Sequence, residues 1–167
     1  MFERFYPDET VSSAYEIDYE KLYKKGYRGI LYDIDNTLVE HGKDATEQAK
    51  KLFSKLRKMG FSCGLISNNN KERVERFNRD IDVHAVIKAG KPSVKGYRYA
   101  MRMMGTDTAN TVFVGDQLFT DIWGAKRSGI HSILVRPIDK KEEIQIVLKR
   151  YLEKIVMREY RKKRGFR

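Results

Sequence analysis

The chain has 167 residues, 41% of them hydrophobic and 34% charged, with a formal net charge of +11. A chain of that size suits one globular domain that needs no disulfide or metal staple, and the single cysteine, Cys63, excludes an internal disulfide. No apolar run approaches the roughly 18–20 residues of a membrane span, and Met1 to Pro7 lack the apolar core of a signal peptide, which points to a cytoplasmic protein.

In chain order, the first 27 residues carry little pattern beyond a short helix at 18–25, ahead of Gly26. Residues 29–34 read as an apolar strand. Residues 45–59 read as a helix, with Ala49, Leu52, Phe53 and Leu56 at helical spacing and Gly60 as its stop. A strand at 62–66 and a helix at 71–79 follow, the helix capped from Asn68-Asn69-Asn70. Next come a strand at 84–87, a helix at 93–104, a strand at 111–114, a helix at 119–128 closed by Gly129, and a strand at 132–135. A final helix spans 140–160, with Ile144, Val147, Leu148, Tyr151, Leu152, Ile155 and Val156 on one stripe that is expected to pack on the sheet. This alternation predicts a single α/β domain with five parallel strands. Its core is 28–136, its N-terminal extension 1–27 and its C-terminal basic helix 140–167.

The charge is uneven: residues 149–167 hold nine Lys or Arg against two Glu. A basic tail of that kind suits an anionic surface, whether phospholipid, RNA or an acidic protein. Cys63 lies between apolar neighbours and reads as an inert buried thiol. His84 and His131 read as structural, and no Cys/His cluster suggests zinc.

In parallel α/β sheets ligands bind beyond the carboxyl ends of the strands. The chemically loaded residues sit there: Asp33 and Asp35 after the first core strand, Ser67 and Asn68 after the second, Lys91 shortly after the third, Asp116 after the fourth. On extended chain Asp33 and Asp35 point to one side. An ionised carboxylate can act as a nucleophile toward phosphorus without a helper base. A second carboxyl, its pKa raised by burial and a like charge, can serve as acid and then base. Asp116 offers an oxygen to Mg2+ beside Asp33. Ser67 and Asn68, before a helix N-terminus, and the Lys91 charge can hold phosphate oxygens.

The order Asp-x-Asp-x-Thr, Ser-Asn, Lys-Pro and Gly-Asp-x3-Thr-Asp resembles the four motifs of haloacid dehalogenase-like (HAD) phosphatases. The resemblance implies Asp33 as nucleophile and Asp35 as acid/base. It implies Asp33, the Asp35 main-chain carbonyl and Asp116 as metal ligands, Asp121 as their support, and Ser67 and Lys91 as phosphate ligands. About 30 residues separate Thr37 from Ser67 and about 20 separate Asn68 from Lys91, so each interval holds one helix and one strand. That is similar to the capless subfamily IIIA, with only the flap from Val39 to Lys43 over the site. Within it the chain resembles the YqeG-like group, which is similar to phosphatidylglycerophosphate phosphatases. Those relatives often carry a basic residue between the two aspartates, where this chain has Ile34. Three readings therefore stay open. One is a phosphatase of a lipid head group, held at the inner face of an anionic membrane. Another is a phosphatase of a soluble sugar phosphate, nucleotide or nucleic-acid end. The last is a non-enzymatic RNA-associated protein.

Overall fold

The computed structural model describes residues 1–139 and 144–165, with side chains of the last helix from Ile146 onward. Six parallel strands form one sheet: β1 (Glu9–Val11), β2 (Gly29–Tyr32), β3 (Ser62–Ile66), β4 (His84–Val86), β5 (Thr111–Gly115) and β6 (His131–Val135). Their spatial order is β1-β6-β5-β2-β3-β4. Every residue of β2 and β5 is buried, because helices cover both faces of the sheet. Alternate side chains serve opposite faces. Ile30 and Tyr32 join a core with Leu52, Phe53, Leu56, Val74 and Phe77. Leu31 joins Phe113, Tyr97, Ala100, Met101 and Ala125 on the other side.

The helices are α1 (Tyr19–Lys24), α2 (Glu47–Met59), α3 (Lys71–Asn78), α4 (Val94–Met104), α5 (Trp123–Arg127) and α6 (Ile144–Arg164). Side-chain caps start them where the polar residues fall: Asp18 on α1, Thr46 on α2, Asn70 on α3. Gly60 ends α2 with φ at 97°, a left-handed conformation that glycine adopts freely. The intervals between the motifs hold α2 with β3 and α3 with β4, with no inserted domain among the described residues.

Three elements depart from the sequence reading. The sheet has six strands rather than five, because the N-terminal extension supplies β1, paired with β6 along Glu9 to Val11. The helix expected at 119–128 begins instead with a π-helical turn, Leu118–Ile122, before α5. The apolar stripe of α6 does not pack on the sheet. Its inner face is Glu153, Val156 and Tyr160, all buried, whereas Val147, Leu148, Tyr151, Leu152 and Ile155 are exposed. Among the described residues of the stripe, Val156 alone is buried. The expected first turn of that helix, 140–143, and the Ile144 side chain lie outside the described residues.

Candidate active site

After β2 the chain crosses to β3 and β4 on one side, then returns past β2 to β5 on the other. The switch point opens a crevice at the carboxyl ends of β2 and β5, where Asp33 and Asp116 emerge. The turn after Asp33 is closed by main-chain bonds from Thr37 (3.2 Å) and Leu38 (2.9 Å) to the Ile34 carbonyl. Asn36 takes the left-handed conformation there, with φ at 63°, which asparagine tolerates better than most residues.

Four predicted residues meet in this crevice. Lys91 Nζ lies 2.6 Å from Asp33 Oδ1 and 2.6 Å from Asp121 Oδ1. The Thr37 hydroxyl donates to Asp116 Oδ1 at 3.1 Å. Asp121 Oδ2 accepts the main-chain N–H of Asp116 (3.2 Å) and of Gln117 (3.1 Å), which folds the π-helical turn back over the end of β5. That close approach needs Gly115: a Cβ there would lie 2.6 Å from the Asp121 side chain. Tyr97 reaches from α4 to donate to the Asp121 carbonyl at 3.0 Å.

Asp33, Asp116 and Asp121 each present an oxygen within 4.8 Å of the others, and all three are buried. Burial pushes the Asp33 carboxyl up to about 7, with Asp121 and Asp35 adding to the rise and Lys91 opposing it. Asp116 is likewise raised well above the usual carboxylate value by burial and by Asp121 and Asp33, against the pull of Arg150. Burial works against the Lys91 charge, but Asp121 and Asp33 outweigh it and hold the ammonium protonated. Crowded, desolvated carboxylates of this kind are the donor set of a hard divalent cation, which takes oxygen ligands.

The other predicted residues are placed differently. The Asp35 carboxylate is not part of the acidic cluster and accepts from Gly42 N–H at 2.8 Å, Arg73 Nη2 at 2.9 Å and Asn69 Nδ2 at 3.2 Å. Burial favours a raised pKa, as the sequence suggested, but the Gly42 N–H and the Arg73 guanidinium prevail and hold it below the usual carboxylate value. Ser67 is buried, and its hydroxyl accepts from Asn69 N–H at 3.0 Å. The Asn68 side chain clamps the Lys91 main chain, accepting its N–H at 2.7 Å and donating to its carbonyl at 3.2 Å. The Asn68 side chain therefore holds the Lys91 main chain in place.

Sequence reasoning missed two arginines. Arg73 is buried in the first turn of α3, and its Nη1 has no hydrogen-bond partner among the described residues. A hint was available, since it sits between the capping Asn70 and the buried pair Val74 and Phe77. Arg150 of α6 donates from Nη1 to the Asp116 carbonyl at 2.6 Å and from Nη2 to the Asp116 carboxylate. Glu153 steadies it at 3.0 Å and also accepts the Leu118 N–H at 2.8 Å. Nothing local marks Arg150, which looks like one more cation of a basic tail.

A family model for haloacid dehalogenase-like hydrolases matches residues 42–129, a stretch containing Ser67, Lys91, Asp116 and Asp121. The chain belongs to the HAD hydrolases. This HAD hydrolase is 34% identical over 98% of its length to YqeG of Bacillus subtilis (strain 168), described as a probable phosphatase, and covers 96% of that protein. It is 26% identical over 89% of its length to phosphatidylglycerophosphate phosphatase 1, chloroplastic/mitochondrial, of Arabidopsis thaliana, and spans 48% of that protein. Among solved structures it is similar to 3-deoxy-D-manno-octulosonate 8-phosphate phosphatase from Moraxella catarrhalis, a complex with a magnesium ion and phosphate. There the TM-score is 0.55 at 14% identity, covering 72% of this chain and 76% of that one, a likeness of fold. The family and the full-length relative make the enzyme a phosphatase.

Proposed function

We propose that this HAD phosphatase is a magnesium-dependent phosphomonoester hydrolase that works through an aspartyl-phosphate, and that its substrate is a lipid-borne phosphate such as phosphatidylglycerophosphate. The observation that carries the reaction is the acidic cluster of Asp33, Asp116 and Asp121 bridged by Lys91. An Asp33 carboxylate oxygen attacks phosphorus, and the bond from phosphorus to the ester oxygen breaks. Asp35 gives its proton to the departing alkoxide, then takes one from the water that cleaves the acyl-phosphate and frees inorganic phosphate. The Gly42, Asn69 and Arg73 bonds to Asp35 suit the base half of that cycle. For the acid half they must loosen as substrate enters under the flap. Lys91 faces the phosphoryl oxygens, where charge builds in the transition state, and Ser67 adds a hydroxyl. Asp33, the Asp35 carbonyl and Asp116 would hold Mg2+, with Asp121 in support. Bound there, the ion offsets the repulsion of the carboxylates for one another and for the phosphate dianion.

The lipid assignment is supported by the relative named as a phosphatidylglycerophosphate phosphatase and by the lack of any inserted domain over the crevice among the described residues. The test is phosphate release with Mg2+ from phosphatidylglycerophosphate in mixed micelles, beside a panel of soluble sugar phosphates and nucleotides. Preference for the lipid is expected, and comparable turnover of a small soluble ester would overturn it. Asp33→Asn should leave less than about a hundredth of the wild-type rate, the scale of a lost nucleophile. Acid quenching during turnover should trap phosphate on the wild-type chain and none on the variant.

A further inference from the structure

The two faces of α6 are unlike each other. Inward, Glu153, Val156 and Tyr160 are buried and Arg150 reaches the Asp116 carboxylate. Outward, Val147, Leu148, Tyr151, Leu152 and Ile155 recur at helical spacing as one stripe, with Leu148 65% and Tyr151 64% exposed. Single exposed apolar residues are ordinary on a protein surface, but a contiguous row of five is not. Along the same helix the row gives way to exposed Lys154, Arg158, Arg161 and Lys162, with Glu159 as the one exposed acid among them. None of those four cations makes an ion pair among the described residues.

We infer that this outward face of α6 docks on an anionic lipid bilayer. A helix that lies in the plane of a bilayer surface buries its apolar side below the head groups and leaves its cations among their phosphates. A bilayer supplies both partners at once. Nucleic acid would answer the four cations and leave the Leu148 and Tyr151 side chains in water. A second copy of this chain would bring a surface of the same sign against a protein already at +11. The inner face of the same helix touches the acidic cluster, and a helix with its side chains is roughly 10–12 Å across. Docking therefore places the lipid surface about one helix diameter from Asp116. This surface goes beyond the proposed reaction and holds whether or not the substrate is a lipid.

The test is cosedimentation of the full chain with vesicles of phosphatidylglycerol and phosphatidylcholine, against vesicles of phosphatidylcholine alone, neither carrying a phosphomonoester. Binding to the anionic vesicles is expected, weakening as salt rises. The combined variant Leu148→Ser, Tyr151→Ser and Leu152→Ser should bind at least about tenfold more weakly, given what burying such side chains contributes. Its circular dichroism and its turnover of p-nitrophenyl phosphate should match the wild type. If that variant fails to fold, Arg158→Gln with Lys162→Gln replaces it and should flatten the salt dependence. Wild-type protein that ignores anionic vesicles, or variants that bind as the wild type does, would overturn the inference. So would a dimer in sedimentation equilibrium that the triple variant abolishes, or an RNA oligonucleotide that competes fully with the vesicles. Loss of phosphatase activity with intact vesicle binding would refute only the proposed reaction.

Discussion

Arg150 binds Asp116, one of the residues proposed to hold the cation. Its guanidinium holds both the carbonyl and the carboxylate of that residue, and Glu153 fixes it in place. The guanidinium is permanently charged, so it competes with any divalent ion for Asp116. Arg150→Met should raise the affinity for Mn2+, read by electron paramagnetic resonance, by about tenfold, on the scale of one hydrogen bond to a charged group. Its thermal stability without metal should fall, because Asp116 and Glu153 lose their counter-charge. Unchanged or weaker Mn2+ binding would show that Arg150 instead holds Asp116 in position for the ion. Arg73 shows the same limit of sequence reading. Burial and the neighbouring Asp33 argue for an Asp35 carboxyl that keeps its proton. One guanidinium at 2.9 Å, with the Gly42 N–H, decides otherwise.

At the scale of elements, the edge strand β1 is fastened to β6 by its ladder, by Glu9 Oε1 2.8 Å from His131 Nε2, and by the Asp8 side chain just before it. Asp8 Oδ2 accepts the Ser132 N–H and hydroxyl, each at 2.8 Å, with Lys126 3.4 Å from the other oxygen. Burial opposes the Asp8 charge, but the Ser132 bonds, Lys126 and His131 prevail and hold its pKa below the usual carboxylate value. A depressed carboxyl stabilises the fold above its unfolded pKa, and that contribution fades as pH falls through the folded value. Asp8→Ala should therefore cost about 1–2 kcal/mol at neutral pH by urea denaturation, a modest figure because the site is partly exposed. The gap to wild type should narrow below about pH 4; a constant gap would mean that the bonds to Ser132 contribute little. Three residues with no apolar run gave no reason to read a strand here. The partner that makes Glu9 to Val11 a strand, β6, is more than a hundred residues further along the chain. Periodicity also identified α6 as two-faced but not which face turns inward. The half-buried Arg150 and the buried Glu153 and Tyr160 answer to the cluster and the N-terminal segment, where Tyr6 packs edge-on against Tyr160 at 5.3 Å.

For the whole molecule, one crevice would hold both the proposed cation and the proposed chemistry, so metal removal should silence it entirely. Phosphate release should stop with EDTA and return with Mg2+. Ca2+ should inhibit, because it takes more ligands at longer distances and would shift Asp33 from the line of attack. Activity that persists without metal would remove the role given to Asp116. The sequence by itself determined the α/β class, the cap from Asn68 to Asn70, the Gly60 stop, the strand-end residues Asp33 and Asp116 and the place of Lys91 shortly after the third core strand, whereas Asp121 came only from the family resemblance. Those signals are local: apolar period, cap chemistry and the place of a polar residue at the end of an apolar run. Tertiary structure alone decided that Arg73 pairs with Asp35 and Arg150 with Asp116, that Asn68 holds Lys91, that 9–11 close the sheet edge and that the α6 stripe faces outward. Each of these joins segments from 23 to more than 100 residues apart. A hydrophobic period records that a side chain suits burial or a surface, whereas its partner is chosen only when distant segments compete for the same space.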